Sequence, residues 1–324
     1  MKSARNLGLL LLVLGTCVWP AAASETGGFE RTLKVSSGAI TVEVSSGAGN
    51  ITVNTGGNGQ VHVVAKIHAR DSWFGLSAAE KIRRIEQNPP VEQQGDTIRI
   101  GRIEDRELTQ NISIDYDVSV PAQTKLTSNT GSGDQTLRGL QLPLNAKTGS
   151  GNITVENSGA SVHVSSGSGD LKINNVKGSV TASTGSGTIK GFGIGGEVNA
   201  NAGSGNIEFE QVASGNARVE TGSGNVKLRG IKGGLWAQTG SGDIHAEGQP
   251  TSDWRVGAGS GNIDLKLPLE TSFTIDARTS SGRLNISRPV TMQGSLSRNH
   301  IQGKVGNGGV LLDLHTGSGD ININ

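Results

Sequence analysis

Residues 147–155 read Lys-Thr-Gly-Ser-Gly-Asn-Ile-Thr-Val, and the Gly-Ser-Gly corner within them returns along the chain at a nearly constant interval. The steps between residues 131 and 259 are all 18 or 19 residues. An internal repeat of fixed period predicts a solenoid of stacked coils. The first glycines of the copies are Gly131, Gly149, Gly167, Gly185, Gly203, Gly222, Gly240, Gly259 and Gly317.

Each repeat contains two short stretches in which apolar and polar residues alternate, with turn residues between them. In one repeat Ile153 and Val155 alternate with polar residues, and Val162 and Val164 do so after a glycine turn. Because strand side chains alternate between two faces, each stretch buries one face. We therefore predict an all-β fold, a single-stranded parallel β-solenoid (β-helix) with coils of about 18 residues. Aliphatic columns then form the core, one of them running in chain order through Ile153, Leu171, Ile189, Ile207, Val226, Ile244, Ile263, Leu284 and Ile321.

The chain divides into three parts. Residues 1–23 carry Lys2 and Arg5, an apolar run at 7–18 and three alanines at 21–23, a pattern typical of a signal peptide. Residues 24–120 are predicted to form N-terminal solenoid coils with a helical insertion at about 68–111. Residues 121–324 are predicted to form the regular Gly-Ser-Gly repeat solenoid.

The signal-peptide pattern predicts an exported protein, in the periplasm, at the cell surface or outside the cell. The apolar run at 7–18 is too short to cross about 30 Å of hydrocarbon. The sequence Leu14-Gly15-Thr16-Cys17 is loosely similar to a lipoprotein signal, so lipoprotein processing stays open beside simple cleavage after the alanines. Simple cleavage leaves a mature chain without cysteine, because Cys17 is the single cysteine.

Composition and charge argue against nucleic-acid binding. The chain has 50 glycines and only 3% aromatic residues. Without residues 1–23, 27 basic residues face 28 acidic ones, since only Lys2 and Arg5 are removed. A protein that binds nucleic acid usually shows a basic excess or aromatic platforms, and neither is present here.

The repeat is interrupted near the N-terminus. Ser77 and Glu80 form a capping-box pattern that opens a short helix with Ile82 and Ile85 on one side. We predict that this helix and the apolar pair at 73–74 pack on the solenoid as a cap or side brace, because solenoid ends need covers.

The C-terminus stops in the middle of a predicted strand, at Ile321-Asn322-Ile323-Asn324. An uncovered last coil would expose unpaired backbone groups. Either another segment, for which 289–309 is the candidate, folds over this coil, or the edge pairs with a partner. Self-association through the C-terminal coil is one form of the second outcome.

An Asp or Asn follows the Gly-Ser-Gly corner in eight of the nine repeats, and Thr188 takes that place in the ninth. Such side chains bond backbone amides of their own turn, and stacked Asn residues can form ladders between coils. A structural role tolerates the mixture of acids and amides, whereas a charged ligand site would not. This predicted turn ladder comprises Asp134, Asn152, Asp170, Asn206, Asn225, Asp243, Asn262 and Asp320.

No motif in the sequence predicts a cofactor, a metal or a catalytic residue. A calcium-binding β-roll needs an aspartate where these repeats have an inward Ile or Leu. A phosphate loop needs Lys-Ser/Thr and a helix after the glycines, and neither follows them. The six histidines lack metal-ligand spacing: His62, His68, His163, His245, His300 and His315.

A polysaccharide-acting parallel β-helix enzyme is the alternative, because such enzymes carry catalytic carboxylates on an outer face. Glu208 with Glu210, Asp115 with Asp117, and Asp264 could supply them. These acids are not clustered with arginines or placed in a long loop, so the sequence favours solvated surface positions.

Trp236 is the one side chain that we single out as a possible surface contact. Strand alternation points it outward, while Trp254 in the next coil points inward. An exposed Trp suits a sugar or a protein partner. The alternative is that the 289–309 segment buries it.

The Thr-Gly-Ser-Gly-Asp-Ile turns, the segment Val118-Ser119-Val120-Pro121 and the signal peptide resemble the bacterial putative-adhesin family of exported β-solenoids, a domain of unknown function. The similarity extends over about residues 29–324. The resemblance implies an exported surface or envelope role and supplies no catalytic residues. We therefore expect a non-enzymatic, envelope-associated solenoid that presents a ladder face to a glycan or a cell-surface protein.

Overall fold

The computed structural model describes residues 24–36, 38–56, 59–71, 75–292 and 297–324. The predicted signal peptide and the apolar pair at 73–74 lie outside these residues. The described residues form two helices, α1 (Ala78–Gln87) and α2 (Arg106–Thr109), and 29 strands. The strands are β1 (Ser24–Lys34), β2 (Ile40–Ala48), β3 (Ile51–Thr55), β4 (Gln60–Arg70), β5 (Val91–Gln94), β6 (Thr97–Ile100), β7 (Ile112–Val120), β8 (Thr124–Ser132), β9 (Gln135–Arg138), β10 (Leu144–Ser150), β11 (Ile153–Ser158), β12 (Val162–Ser168), β13 (Leu171–Val176), β14 (Val180–Ser186), β15 (Ile189–Ile194), β16 (Val198–Ser204), β17 (Ile207–Gln211), β18 (Ala217–Ser223), β19 (Val226–Ile231), β20 (Leu235–Ser241), β21 (Ile244–Gly248), β22 (Trp254–Ser260), β23 (Ile263–Lys266), β24 (Phe273–Ser281), β25 (Leu284–Ile286), β26 (Val290–Met292), β27 (His300–Val305), β28 (Leu311–Ser318) and β29 (Ile321–Ile323).

The strands form two sheets, and each regular coil contributes one strand to each sheet. The first sheet runs β1-β4-β7-β3-β9-β11-β13-β15-β17-β19-β21-β23-β29-β25, and the second runs β26-β27-β24-β28-β22-β20-β18-β16-β14-β12-β10-β8-β2-β6-β5. Pairing in the regular coils is parallel and in register, so that Ile153 pairs with Leu171 and Val162 pairs with Val180. The predicted parallel β-solenoid is confirmed.

The inward side chains of both sheets form a single core. Ile153, Val155, Val162 and Val164 of one coil are all buried. Equivalent residues of neighbouring coils stack on them at the strand spacing of about 4.8 Å, so the core continues from coil to coil. Trp254 is fully buried in this core, and its Nε1–H donates to the carbonyl of Gly233 at 2.9 Å.

The Gly-Ser-Gly corners bring successive coils into backbone contact. A Cβ built on Gly149 would lie 2.5 Å from the carbonyl oxygen of Gly131 in the coil below. The second glycine of the corner takes a positive φ in several coils, such as 155° at Gly205. The first glycine is required by the close approach of the two coils, which leaves no room for a side chain.

The residue before each corner is usually a buried Thr or Ser, and it joins adjacent coils. Thr148 Oγ1 donates to the carbonyl of Gly133 at 3.1 Å, and Ser166 Oγ donates to that of Gly151 at 2.9 Å. Such bonds satisfy carbonyls that the turn leaves without a strand partner. The corner is thus held by side chains as well as by the backbone ladder.

The N-terminal strands do not all follow the coil order. β2 and β3 form a coil that stacks on β8 and β9. β4 instead runs antiparallel to β7 and to β1, which ends the first sheet. The prediction that solenoid coils begin directly after residue 24 is wrong here, because alternation is the same in parallel and antiparallel strands and does not specify strand direction.

The insertion predicted at about 68–111 leaves the stack only in part, since β6 returns to pair with β2 and forms a hairpin with β5. Helix α1 lies against β1 and β4, with Ile85 buried. Ser77 Oγ accepts the Glu80 N–H at 3.3 Å, which is the predicted N-terminal cap. The helix therefore braces the outer strands of the first sheet, as its pattern indicated.

The last two coils are stacked out of chain order. β29 lies between β23 and β25, so Ile321 pairs with Ile263 on one side and with Leu284 on the other. β28 lies in the same way between β22 and β24. The predicted column order Ile263, Leu284, Ile321 is therefore wrong, and the C-terminal strand has a strand of this chain on both sides.

The 289–309 segment covers a different strand from the one predicted. Within its described residues, β27 pairs antiparallel with β24, and β26 pairs with β27. It therefore closes the second sheet beyond β24 and does not cover the C-terminal coil. Self-association through that coil assumed a free edge at Ile321–Ile323, and the structure pairs this edge on both sides.

No helix within the described parts of the chain is both long and apolar enough to span a bilayer.

Candidate binding groove

The predicted ladder residues form one line along the corner of the solenoid. Each Oδ1 accepts the backbone N–H of the equivalent residue in the next coil, at 2.7–2.9 Å. The prediction placed part of this bonding within each residue's own turn, whereas these bonds run between coils. Asp115 and Asn50 extend the line at the N-terminal side, and Arg283 ends it at the other.

Thr188 interrupts this ladder. Its own N–H donates to Asp170 Oδ1 at 2.7 Å, so the line reaches it from one side. Thr188 has no side-chain carbonyl to offer, and among the described residues the Asn206 N–H has no partner from the coil below. Asp and Asn both supply the one oxygen that the ladder uses, which explains why the two alternate freely.

The carboxylates proposed for an enzyme lie on separate strands and contact neighbouring side chains or backbone. Glu208 lies 3.5 Å from both Lys227 and Arg229. Asp264 accepts a hydrogen bond from Asn322 at 2.7 Å. Asp115 accepts the Asn50 N–H at 2.7 Å and lies 3.3 Å from His68.

Each of these carboxylates contacts side chains or backbone groups of the solenoid itself. Asp115 with Asp117, Glu208 with Glu210, and Asp264 lie on β7, β17 and β23, which are not adjacent in the first sheet. The structure therefore does not bring the three groups of acids together.

The histidines are also dispersed. His300 lies 2.9 Å from Asp276, and His62 lies 3.0 Å from Thr32 Oγ1. The His315 ring lies over Gly257, where an added Cβ would be 2.4 Å from Nε2. Across the described ranges, no group of three or more His, Cys, Asp or Glu side chains is arranged to hold a metal.

A groove of about 930 Å³ runs across the start of five second-sheet strands, β14, β16, β18, β20 and β22. Its floor includes Trp236, which lies in an outward row of the sheet. Its wall is made by the turns that precede these strands, including residues 251–253. The strand spacing of about 4.8 Å makes the five strands about 19 Å wide from first to last.

The wall follows from the two longer repeats. The steps from Gly203 to Gly222 and from Gly240 to Gly259 are 19 residues, against 18 in their neighbours. The extra residue falls in the turns before Ala217 and before Trp254, and these turns line the groove. The two longer turns precede β18 and β22, and β20 with Trp236 lies between these two strands.

Trp236 is half-buried on the groove floor between two arginines. Cross-strand pairing places Arg218 on one side of it and Arg255 on the other. The Arg218 Cζ lies 3.6 Å from the centroid of the Trp236 ring, a cation–π contact. The alternative that the 289–309 segment buries Trp236 is wrong, because the described residues of that segment pair at β24, three strands away.

Polar groups on the groove rim are held in place by short contacts. Asn216 Oδ1 accepts the Gly234 N–H at 2.9 Å, and its Nδ2 lies 3.4 Å from Glu197 Oε1. Asp253 Oδ1 accepts the Leu311 N–H at 2.9 Å. Fixed polar side chains around an aromatic platform are what a preformed ligand site requires.

Sequence reasoning selected Trp236 but missed its two arginine neighbours. The signal was present, because Arg218, Trp236 and Arg255 are separated by 18 and 19 residues, the period of the coil. Residues one period apart on an outward position must stack side by side. The same reasoning adds Thr181 and Asn199, which also line the groove.

Fold and groove together define a repeat protein, a two-sheet parallel β-solenoid with an aromatic surface groove. The chain matches the family model described as Toastrack DUF4097 over residues 159–324, just over half of its length. It belongs to the Toastrack DUF4097 family, and the resemblance to a family of unknown function is confirmed. The match begins at residue 159, within the regular coils, and so covers less of the chain than the expected 29–324.

Several solved structures match the chain over most of its length with little shared sequence. One, described as a putative adhesin from Bacteroides fragilis, has 14% identity and a TM-score of 0.36, with 92% of this chain and 97% of that chain covered. A putative cell adhesion protein from Clostridium sporogenes has 12% identity and a TM-score of 0.20, with 92% and 99% covered. A putative lipid binding protein from Parabacteroides distasonis has 13% identity and a TM-score of 0.36, with 93% and 96% covered. These scores carry no information about function, and no curated protein sequence matches the chain.

Proposed function

We propose that this protein is a non-catalytic binding protein that holds an oligosaccharide in the Trp236 groove. The observation that supports the proposal is the position of Trp236, half-buried on the fourth of the five strands that the groove crosses. A Trp indole offers a rigid, flat, apolar surface with a polar N–H, and such residues dominate binding energetics. Sugars present apolar ring faces together with hydroxyl edges, which matches this combination.

The polar rim supports a sugar over an apolar ligand. Asn216, Arg218 and Arg255 surround the indole with hydrogen-bond donors, and Asn199 and Thr181 continue the row. The groove is open and about 19 Å wide along the solenoid axis, four strand spacings. An open groove of this length fits several units of a chain, whereas a small metabolite prefers an enclosed pocket.

The proposed site of action is the cell envelope or the exterior. The supporting observation is the N-terminal pattern of basic residues, apolar run and alanines at residues 1–23. Expression of the full chain in a Gram-negative host, followed by fractionation and mass measurement, tests this. We expect an exported chain that starts at Ser24. A cytoplasmic chain that keeps residues 1–23 would contradict export.

The binding proposal is tested by presenting the protein to an array of bacterial and host glycans. We expect the wild type to bind a subset of oligosaccharides, and Trp236→Ala to weaken that binding by about 2 kcal/mol, the scale of a central interface residue. Phe192→Ala is the matched control, because Phe192 is a half-buried outward aromatic residue on the first sheet. It should bind as the wild type does.

Two outcomes would contradict the proposal. One is a wild type that binds no glycan, and the other is a Trp236→Ala variant that binds as tightly as the wild type. The same sugars should be assayed for new reducing or unsaturated ends. Release of such ends, lost in Glu208→Gln or Asp264→Asn, would show that the protein is an enzyme.

A further inference from the structure

Arginines on the faces of the two sheets are commonly paired with acids. Arg138 lies 2.8 Å from Glu156, Arg229 lies 3.5 Å from Glu208, and Arg278 lies 2.7 Å from Asp276. Each pair joins outward positions of one strand or of neighbouring strands. Ion pairs of this kind neutralise the surface, in keeping with the near balance of basic and acidic residues.

The two arginines beside Trp236 do not follow this pattern. Both are exposed, and within the described part of the chain neither has a carboxylate within 4.0 Å. The two acids that line the groove contact other groups, since Asp253 accepts the Leu311 N–H and Glu197 contacts the Asn216 amide. Asp313 pairs with Arg255 across β22 and β28, but their charged groups are more than 4.0 Å apart. Two guanidinium groups therefore flank the indole with hydrogen-bond donors free for a ligand.

We propose that the Trp236 groove selects an acidic oligosaccharide, whose carboxylates bind Arg218 and Arg255 while one sugar ring stacks on the face of the indole that Arg218 does not cover. This inference rests on the proposed function and adds the class of ligand. An arginine fork matches a carboxylate in a two-point contact, and such charge-assisted bonds are stronger than neutral ones.

The spacing of the two arginines indicates how far apart the acidic groups of the ligand must lie. Arg218 and Arg255 lie one strand on each side of Trp236, so their strands are about 10 Å apart, two strand spacings. A sugar chain that lies along the row would place acids on residues either side of the stacked ring. The ligand is therefore a chain with more than one acid, and a single uronic acid would engage only one arginine.

The test compares two forms of one chain, a hexasaccharide of galacturonic acid and its fully methyl-esterified counterpart, by calorimetric titration. We expect the wild type to bind the free acid at least tenfold more tightly than the ester. Arg218→Gln and Arg255→Gln should each weaken binding of the acid about tenfold, as expected for one charge-assisted contact, and leave binding of the ester nearly unchanged. Added salt should weaken binding of the acid only.

Arg138→Gln is the matched control, because it removes an outward arginine that is paired with Glu156 on the first sheet. It should bind both sugars as the wild type does. Circular dichroism and the melting temperature of each variant show whether it is folded. A short polyglutamate peptide tests whether the site simply attracts negative charge.

The outcomes separate the two proposals. Equal binding of acid and ester, both lost in Trp236→Ala, would overturn the acidic ligand and leave the glycan groove standing. Binding of polyglutamate as tight as that of the acidic sugar, also dependent on both arginines, would overturn the glycan in favour of an acidic peptide. Binding of the acid that is unaffected by Trp236→Ala would overturn both proposals.

Discussion

The stacking of the corners makes a sharp prediction about Gly149. Gly149→Ala places a Cβ 2.5 Å from the Gly131 carbonyl oxygen, whereas ordinary contacts begin at 3.4 Å. The two coils must therefore separate locally by the difference, about 0.9 Å. Two bonds cross this corner, from the Gly133 N–H to Ser150 O at 3.2 Å and from Thr148 Oγ1 to Gly133 O at 3.1 Å.

The magnitude follows from these contacts. Stretching one or two hydrogen bonds beyond bonding distance costs about 1 kcal/mol each, and overpacking costs about 1–3 kcal/mol in general. Replacing Gly by Ala recovers about 0.4–1 kcal/mol from the unfolded chain. We expect Gly149→Ala to lower the free energy of unfolding by about 1–2 kcal/mol.

Gly47 provides the matched control. It occupies the same corner position, one coil before Gly131, but a Cβ built there has no atom within 4 Å. Gly47→Ala should therefore be neutral or slightly stabilising. Urea unfolding followed by far-ultraviolet circular dichroism measures both variants. If the two have the same midpoint, close approach does not explain the glycine column.

Three further predictions concern the corner ladder, one surface ion pair and the order of the coils. Thr188→Asn should supply the missing acceptor for the Asn206 N–H and raise the free energy of unfolding by about 0.5–1.5 kcal/mol. Thr188→Val, the control, should not raise it. An unchanged urea midpoint for Thr188→Asn would contradict this prediction. Arg278 and His300 beside Asp276 hold the pKa of that carboxyl below its usual 3.8, so its stabilising contribution is present above that pH and is lost as the pH falls through the lowered folded-state pKa. Asp276→Asn should therefore lower the melting temperature at pH 7 and have no effect on it in strong acid. A difference in melting temperature between variant and wild type that stays constant with pH would refute this role of Asp276. Ser260→Cys with Ser318→Cys should form a disulfide in a Cys17→Ser background, because the two serines pair on adjacent strands. Ser260→Cys with Ser281→Cys should not, because β28 lies between their strands, and the reverse result would show that the coils stack in chain order.

Much of the regular solenoid could be predicted from the sequence, because its determinants are local. Alternation selects the inward residues, and the glycine period brings equivalent residues such as Ile153 and Leu171 side by side. Trp236 was placed outward by the same argument. The arginines that flank Trp236 lie one repeat before and one repeat after it in the sequence. They could have been predicted by counting one period in each direction from Trp236.

The rest depends on which strands pair, and near-identical coils leave that choice open. The repeat pattern allows Ile263 to pack against either Leu284 or Ile321. Only the folded chain shows that β29 lies between β23 and β25. The direction of the N-terminal strands could not be predicted for a similar reason, because the alternation of apolar and polar residues is the same in parallel and antiparallel pairs.

The sequence by itself therefore determined the coil, the core columns and the corners, because these depend on period and side-chain size within a single repeat. The tertiary structure alone decided the order of the last coils and the antiparallel covers of both sheets. Those features depend on contacts between segments distant in sequence, such as that of Asp253 with Leu311, and no local pattern encodes them.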